Sequence, residues 1–211
     1  GTFNLPNLAS FDGDLDVRGG SFVPMGVEFT FNAPILTAIG GLLVDGPLTF
    51  SLPAVTDVLD SVIANGTSLV SLPGVQSLNG VQISVSGSNT VTMARSQLML
   101  PALTSAQDLE ITVNAGALLE ATSLTSYTLT QSPALAAWIA QSTGSEIDFS
   151  GLQTLTVNDA ANGTHLIRAN FGGAIDLPAL LTVNSQTDAT LTFSSEGTGS
   201  SINVSSLAIC W

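Results

Sequence analysis

One six-residue phrase returns nine times along this chain: a large apolar residue, a spacer, an apolar residue, Pro or a small hydroxyl residue, a spacer, then Leu, Val or Ile. It reads Phe3-Asn4-Leu5-Pro6-Asn7-Leu8 at its first occurrence, Leu98-Met99-Leu100-Pro101-Ala102-Leu103 midway, and Ile202-Asn203-Val204-Ser205-Ser206-Leu207 at its last. The Pro, Ser or Thr position falls at residues 6, 34, 53, 73, 101, 122, 150, 178 and 205, so successive gaps are 28, 19, 20, 28, 21, 28, 28 and 27. A phrase recurring at intervals of this size marks a solenoid, in which each repeat is one coil stacked on the last. The fold class expected is all-β: a single-stranded β-helix of about nine coils of 19–28 residues. A β-sandwich also has short strands and regular turns, but it has no need to repeat one phrase. Coil lengths near 20 and near 28 predict constant strands and one corner loop of variable length, which costs little closure entropy.

Within each repeat the pattern alternates with period two, as a strand requires. In Ile175-Asp176-Leu177 the outer residues point inward and Asp176 points out. A second alternating run follows, as in Leu109-Glu110-Ile111-Thr112-Val113 and Thr190-Leu191-Thr192-Phe193. Gly46, Gly66, Gly116, Gly144, Gly172 and Gly199 precede the next phrase and suit a corner of positive φ. Pro fits the end of the first strand, where a missing N–H does least damage to the ladder. One segment breaks the β pattern: Ser132 as a cap, Pro133 at a first helical position and an Ala-rich run predict a short helix near 133–140. No Gly/Ser-rich linker or charge run divides the chain, so 1–211 reads as one solenoid domain or a segment of a longer repeat protein.

Charge narrows the partners. The chain has no Lys; Arg18, Arg95 and Arg168 face sixteen carboxylates for a net charge of −13. Such a surface repels nucleic acid and anionic membranes. No apolar stretch approaches the roughly 18 residues of a transmembrane helix, so no membrane insertion is expected. Cys210 is solitary, which excludes an internal disulfide. A surface of Ser, Thr, Asn and Gln with so few strong bases points to a secreted or cell-surface setting.

The strings LPALTSAQDLEITVNAG (from Leu100), LPNLASFDGDLDVRGG (from Leu5) and APILTAIGGLLVDG (from Ala33) resemble the receptor L-domain type of leucine-rich solenoid. That family occurs in receptor ectodomains, fungal wall proteins and bacterial surface proteins, and its pattern extends loosely over all nine coils. The receptor members carry flanking Cys-rich modules that this chain lacks. The resemblance implies a right-handed β-helical module used at the cell surface for adhesion, wall structure or recognition. It brings no catalytic residues.

The residues themselves offer little chemistry. His165 is the one imidazole and reads as a surface strand or turn residue rather than a base. The outward position of the phrase runs Asn4, Asn32, Ser51, Ser71, Met99, Glu120, Asp148, Asp176, Asn203 down the stack. With coils about 4.8 Å apart, Glu120, Asp148 and Asp176 form an acidic ladder. Its spacing is compatible with a retaining glycosidase pair, but a flat sheet face without an aromatic platform makes a poor active site. Calcium is the better use of clustered hard oxygens, at this ladder or at Asp12, Asp14 and Asp16. Solvated strand carboxylates account for both sets equally well. Trp138 is the candidate ligand-facing aromatic for a glycan- or protein-binding module. The expected function is a non-catalytic extracellular structural or adhesive module that packs with copies of itself or other surface components. No cofactor is required for that role.

Overall fold

The computed structural model describes residues 2–19, 30–89, 94–131, 137–161 and 163–210, and among them every regular element is a strand. Parallel strands stack into a β-solenoid with three faces. The phrase supplies one face: Thr49–Ser51, Leu69–Ser71, Gln97–Met99, Leu118–Glu120, Glu146–Asp148, Ala174–Asp176 and Ser201–Asn203 form a seven-stranded sheet. Thr2–Asn4 pairs with Thr30–Asn32 in the same register. The second alternating run supplies the long face, a nine-stranded sheet that includes Ser10–Arg18, Glu110–Asn114 and Thr190–Glu196. Between them lies a third face of six short strands: Ser77–Asn79, Ser105–Gln107, Ser126–Leu129, Thr154–Val157, Thr182–Ser185 and Ile209–Cys210.

Three-faced stacking runs for about six turns. The phrase count anticipates nine coils; the first coils instead bend from the phrase directly into the long face, because their strands Ser10–Arg18 and Ala38–Asp45 run through the corner unbroken. The extra residues of the longer coils do not share one corner either. The coil of Pro73 places a small antiparallel hairpin, Ser88–Asn89 with Ala94–Arg95, after the long face. The coils of Thr122 and Ser150 place theirs between the third face, which ends at Leu129 and Val157, and the long face, which resumes at Trp138 and Thr164. The short helix expected near 133–140 is not what forms at its C-terminal part: Trp138–Gln141 is a long-face strand, and residues 133–136 lie outside the described residues. Lateral pairing on two sides, to Ile111–Asn114 and to Ile167–Asn170, satisfies that backbone and overrides the helical preference of an Ala-rich segment.

Each phrase ends in one β-turn. The N–H of Leu8, Leu36, Val55, Val75, Leu103, Leu124, Leu152, Leu180 and Leu207 donates to the carbonyl three residues earlier. Pro therefore sits at the second position of the turn, where its fixed φ is already correct and no N–H is needed. Gly74 and Gly151 follow it with ordinary φ, so the turns are type I. At the opposite corner all six glycines expected from the sequence have positive φ, from +66° at Gly66 to +109° at Gly46. Buried serines tie these corners together. Ser145 Oγ accepts from Gly116 N–H (3.0 Å) of the preceding coil and donates to the Gln141 carbonyl (2.5 Å), and Ser96 does the same for Thr67 and Ser86.

Inward side chains make continuous columns. Leu52, Leu72, Leu100, Ala121, Phe149 and Leu177 are all at most 2% exposed, and each donates its N–H to the next coil, from Leu52 to Ser71 through Leu177 to Asn203. A second column, Phe50, Val70, Leu98, Leu119, Ile147, Ile175, runs beside it in strict register. Where the column narrows to Ala121, aromatic rings fill the interior. Trp138 stacks edge-on between Tyr127 (4.8 Å, 87°) and Phe149 (5.2 Å, 89°). Burial of these side chains, about 1.5–3 kcal/mol each for the aliphatics, is the main stabilising term.

Candidate functional site

The register brings the acidic ladder together as the sequence predicts. Met99 pairs with Glu120, Glu120 with Asp148, Asp148 with Asp176 and Asp176 with Asn203. Their carboxylates are half-buried on the phrase face. Part of the ladder's hydrogen-bonding capacity is already used. Asp148 Oδ1 accepts from the Ser150 N–H (2.9 Å), and Asp176 Oδ1 accepts from the Asn203 amide (3.3 Å). Beside the ladder, Arg95 bonds Glu146 at 3.2 Å. Asp12, Asp14 and Asp16 lie on an exposed stretch of strand Ser10–Arg18 with a register irregularity between Phe11 and Asp14. Asp16 is held by the Arg18 guanidinium at 2.8 Å, and Asp14 rests over Gly41. Among the described residues, no group of three or more His, Cys, Asp or Glu side chains is gathered to hold a metal ion.

Two sequence-based expectations are corrected by burial. Trp138 has 0% exposure and lines the core, so it has no face to offer a ligand. The strand carrying it alternates, and Trp138 falls on the inward phase with Ala140. His165 is also inside, not at the surface: it is fully buried, with Nε2 3.2 Å from Asp159 Oδ2 but off the line of a hydrogen bond. Asp159, itself 2% exposed, closes the inserted loop by accepting from the N–H groups of Ala161 (2.8 Å) and Gly163 (3.1 Å). The two form a buried polar joint between loop and strand, out of reach of any substrate. Burial likewise pushes the Tyr127 phenol well above its ordinary range; its oxygen accepts from Leu109 N–H (2.7 Å) and donates to the Leu109 carbonyl (3.1 Å).

A concave feature lies on the third face, which the sequence reading did not separate from the phrase. A shallow groove of about 220 Å³ crosses three coils there, lined by Ser77, Asn79, Ser105, Gln107, Ser126 and Thr128, with Leu78 and Ala106 at its floor. The register is strict: Ser77, Ser105, Ser126, Thr154 and Thr182 form one outward column, and Asn79, Gln107, Thr128, Thr156 and Asn184 form the other. Neither column contains a charge, in a chain of sixteen carboxylates. Gln107 is positioned at its amide nitrogen, which donates to Asp108 Oδ2 (3.2 Å) and Thr130 Oγ (3.4 Å). Asp108 in turn accepts from the N–H groups of Thr130 (2.6 Å) and Gln131 (3.2 Å) and bonds the Thr130 hydroxyl, so its charge is spent internally.

Fold and surface together define a parallel β-solenoid repeat protein with polar outer faces. No protein family, curated protein or solved structure matches the chain.

Proposed function

We propose that this chain is a non-catalytic structural or adhesive module, set outside the cell in a coil of nine right-handed repeats, that packs end to end with copies of itself. Crossovers between parallel strands favour that hand almost without exception. The observation that carries the reading is the gradient of burial along the column. Ile83, Ile111 and Ile167 at the centre of the long face are at most 1% exposed, whereas Leu15 and Val17 in one outermost strand, and Leu191 and Phe193 in the other, remain half-covered. Among the described residues the outermost long-face strands, Ser10–Arg18 and Thr190–Glu196, are paired on one side, and such an edge is a surface on which a further coil can add. A second copy stacked on such an edge supplies a strand partner and apolar cover.

The lack of accessible chemistry supports the non-catalytic part. The one imidazole is sealed in the core, and the carboxylate ladder lies on an open sheet face with its oxygens partly engaged. The acidic, Lys-free surface disfavours anionic partners, so copies join through strand edges and apolar cover rather than through their charged faces. Light scattering coupled to size-exclusion chromatography, with negative-stain microscopy, tests the proposal. Concentration-dependent rods or head-to-tail oligomers are expected; a monomer that persists at high concentration refutes it.

A further inference from the structure

We propose that the third face is a binding site for an extended, neutral polysaccharide, with Ser77, Asn79, Ser105, Gln107, Ser126 and Thr128 as its contact residues. The site stands on different observations from end-to-end packing and lies on a different surface. Three features select the ligand. First, both outward columns of this face are uncharged although the chain carries a net charge of −13, so an anionic chain would meet only repulsion from the surroundings. Second, one column (Ser77, Ser105, Ser126, Thr154, Thr182) is all hydroxyl and the other (Asn79, Gln107, Thr128, Thr156, Asn184) mixes amides with hydroxyls, groups that both donate and accept. That is the chemistry that pairs with sugar hydroxyls and acetamido groups. Third, the groove spans two coil steps, about 10 Å, and its repeat is close to the advance of one pyranose along a β-linked chain. Roughly two rings fit, each set against one coil.

The arrangement is also preorganised. Outward side chains of a parallel sheet stand on a rigid ladder, and Gln107 is fixed by Asp108 and Thr130 with its carbonyl oxygen left to accept. No aromatic ring faces the groove; Tyr127 points inward beneath it. Recognition is therefore by hydrogen bonds without stacking, and single-site affinity is low. The six stacked strands of the face make binding multivalent on a long chain, so retention on insoluble polymer exceeds that on short oligosaccharides.

The test is a pull-down of the purified chain on swollen cellulose and on chitin, with pectin as an anionic control and oligomeric state followed in parallel by light scattering. Retention on cellulose or chitin but not pectin is expected. Ser105→Ala with Gln107→Ala lowers it roughly tenfold, while Thr112→Ala on the long face leaves it unchanged, all with the wild-type thermal midpoint. Absence of retention on either neutral polymer, equal retention on pectin, or insensitivity to the double substitution overturns the proposal. Shaping of ice crystals without glycan retention also overturns it, because the face would then be ordering water instead.

Discussion

Replacing Trp138 tests the packing account where it is most specific. The indole is fully buried and makes two edge-on contacts, with Tyr127 and Phe149. An aromatic side chain buries about 150–250 Å², which at about 25 cal/mol per Å² is worth about 4–6 kcal/mol. Trp138→Ala forfeits most of this and costs about 3–5 kcal/mol, in line with aromatic-to-Ala changes in other cores. Trp138→Phe keeps a ring between the same neighbours, so it costs no more than about 2 kcal/mol. Urea unfolding followed by far-UV circular dichroism reads both, provided the slope with denaturant is unchanged. A loss under about 0.5 kcal/mol for Trp138→Ala, the size of a surface substitution, would refute the placement of this strand.

Other outcomes follow from the same interior. Tyr127 is the one tyrosine of the chain, and burial raises its pKa; absorbance at the phenolate band stays flat through about pH 10 and rises only as the protein unfolds. The sign is fixed by linkage: the unfolded state loses its proton first, so stability contributed by the neutral phenol is full below the ordinary tyrosine pKa and falls as pH rises above it. An ordinary tyrosine titration in the native protein would contradict this. Ser145→Ala leaves the Gly116 N–H without its acceptor and costs about 1–3 kcal/mol by urea unfolding, whereas an exposed Ser126→Ala is neutral. Gly66→Ala places a Cβ at φ +66° and 2.7 Å from Gly46 N, so its thermal midpoint falls by an amount equivalent to about 1–3 kcal/mol; an unchanged midpoint would mean that the corners do not stack.

The sequence carries the strands that alternate and the corners that demand special residues, because both are written in single positions. Ile175-Asp176-Leu177 and the six positive-φ glycines fold as read, and so does the Glu120, Asp148, Asp176 ladder, since a constant phrase fixes which residues meet across coils. The third face was hidden for a physical reason. Its strands are two to four residues long and begin only a turn after the phrase, too short for a period to declare itself: Ser77-Leu78-Asn79 looks like loop until it stacks on Ser105-Ala106-Gln107. The groove therefore had no legible signal except the column of Ser and Thr four residues after each phrase position. Inserted loops also hide register: the column of Ser84 and Thr112 continues through Ile139 and Arg168 to Ser194, a sequence with no constant spacing. Trp138 and His165 were misplaced because an aromatic or polar residue beside an insertion has no neighbour in sequence that states which way it points.

Cross-coil disulfide trapping tests the stacking register most directly. With Cys210 replaced by Ser, Ser84→Cys with Thr112→Cys sets two thiols on facing positions of adjacent strands. At about 4.8 Å between strands the pair lies within the Cα range of a disulfide. Ser84→Cys with Ile139→Cys spans two coils, since Thr112 stands between them in the column, and about 9.6 Å is too far. Mild oxidation of the monomer should close the first pair quantitatively and leave the second reduced. Failure of the first, or equally fast closure of the second, would mean that these segments do not lie one coil above another.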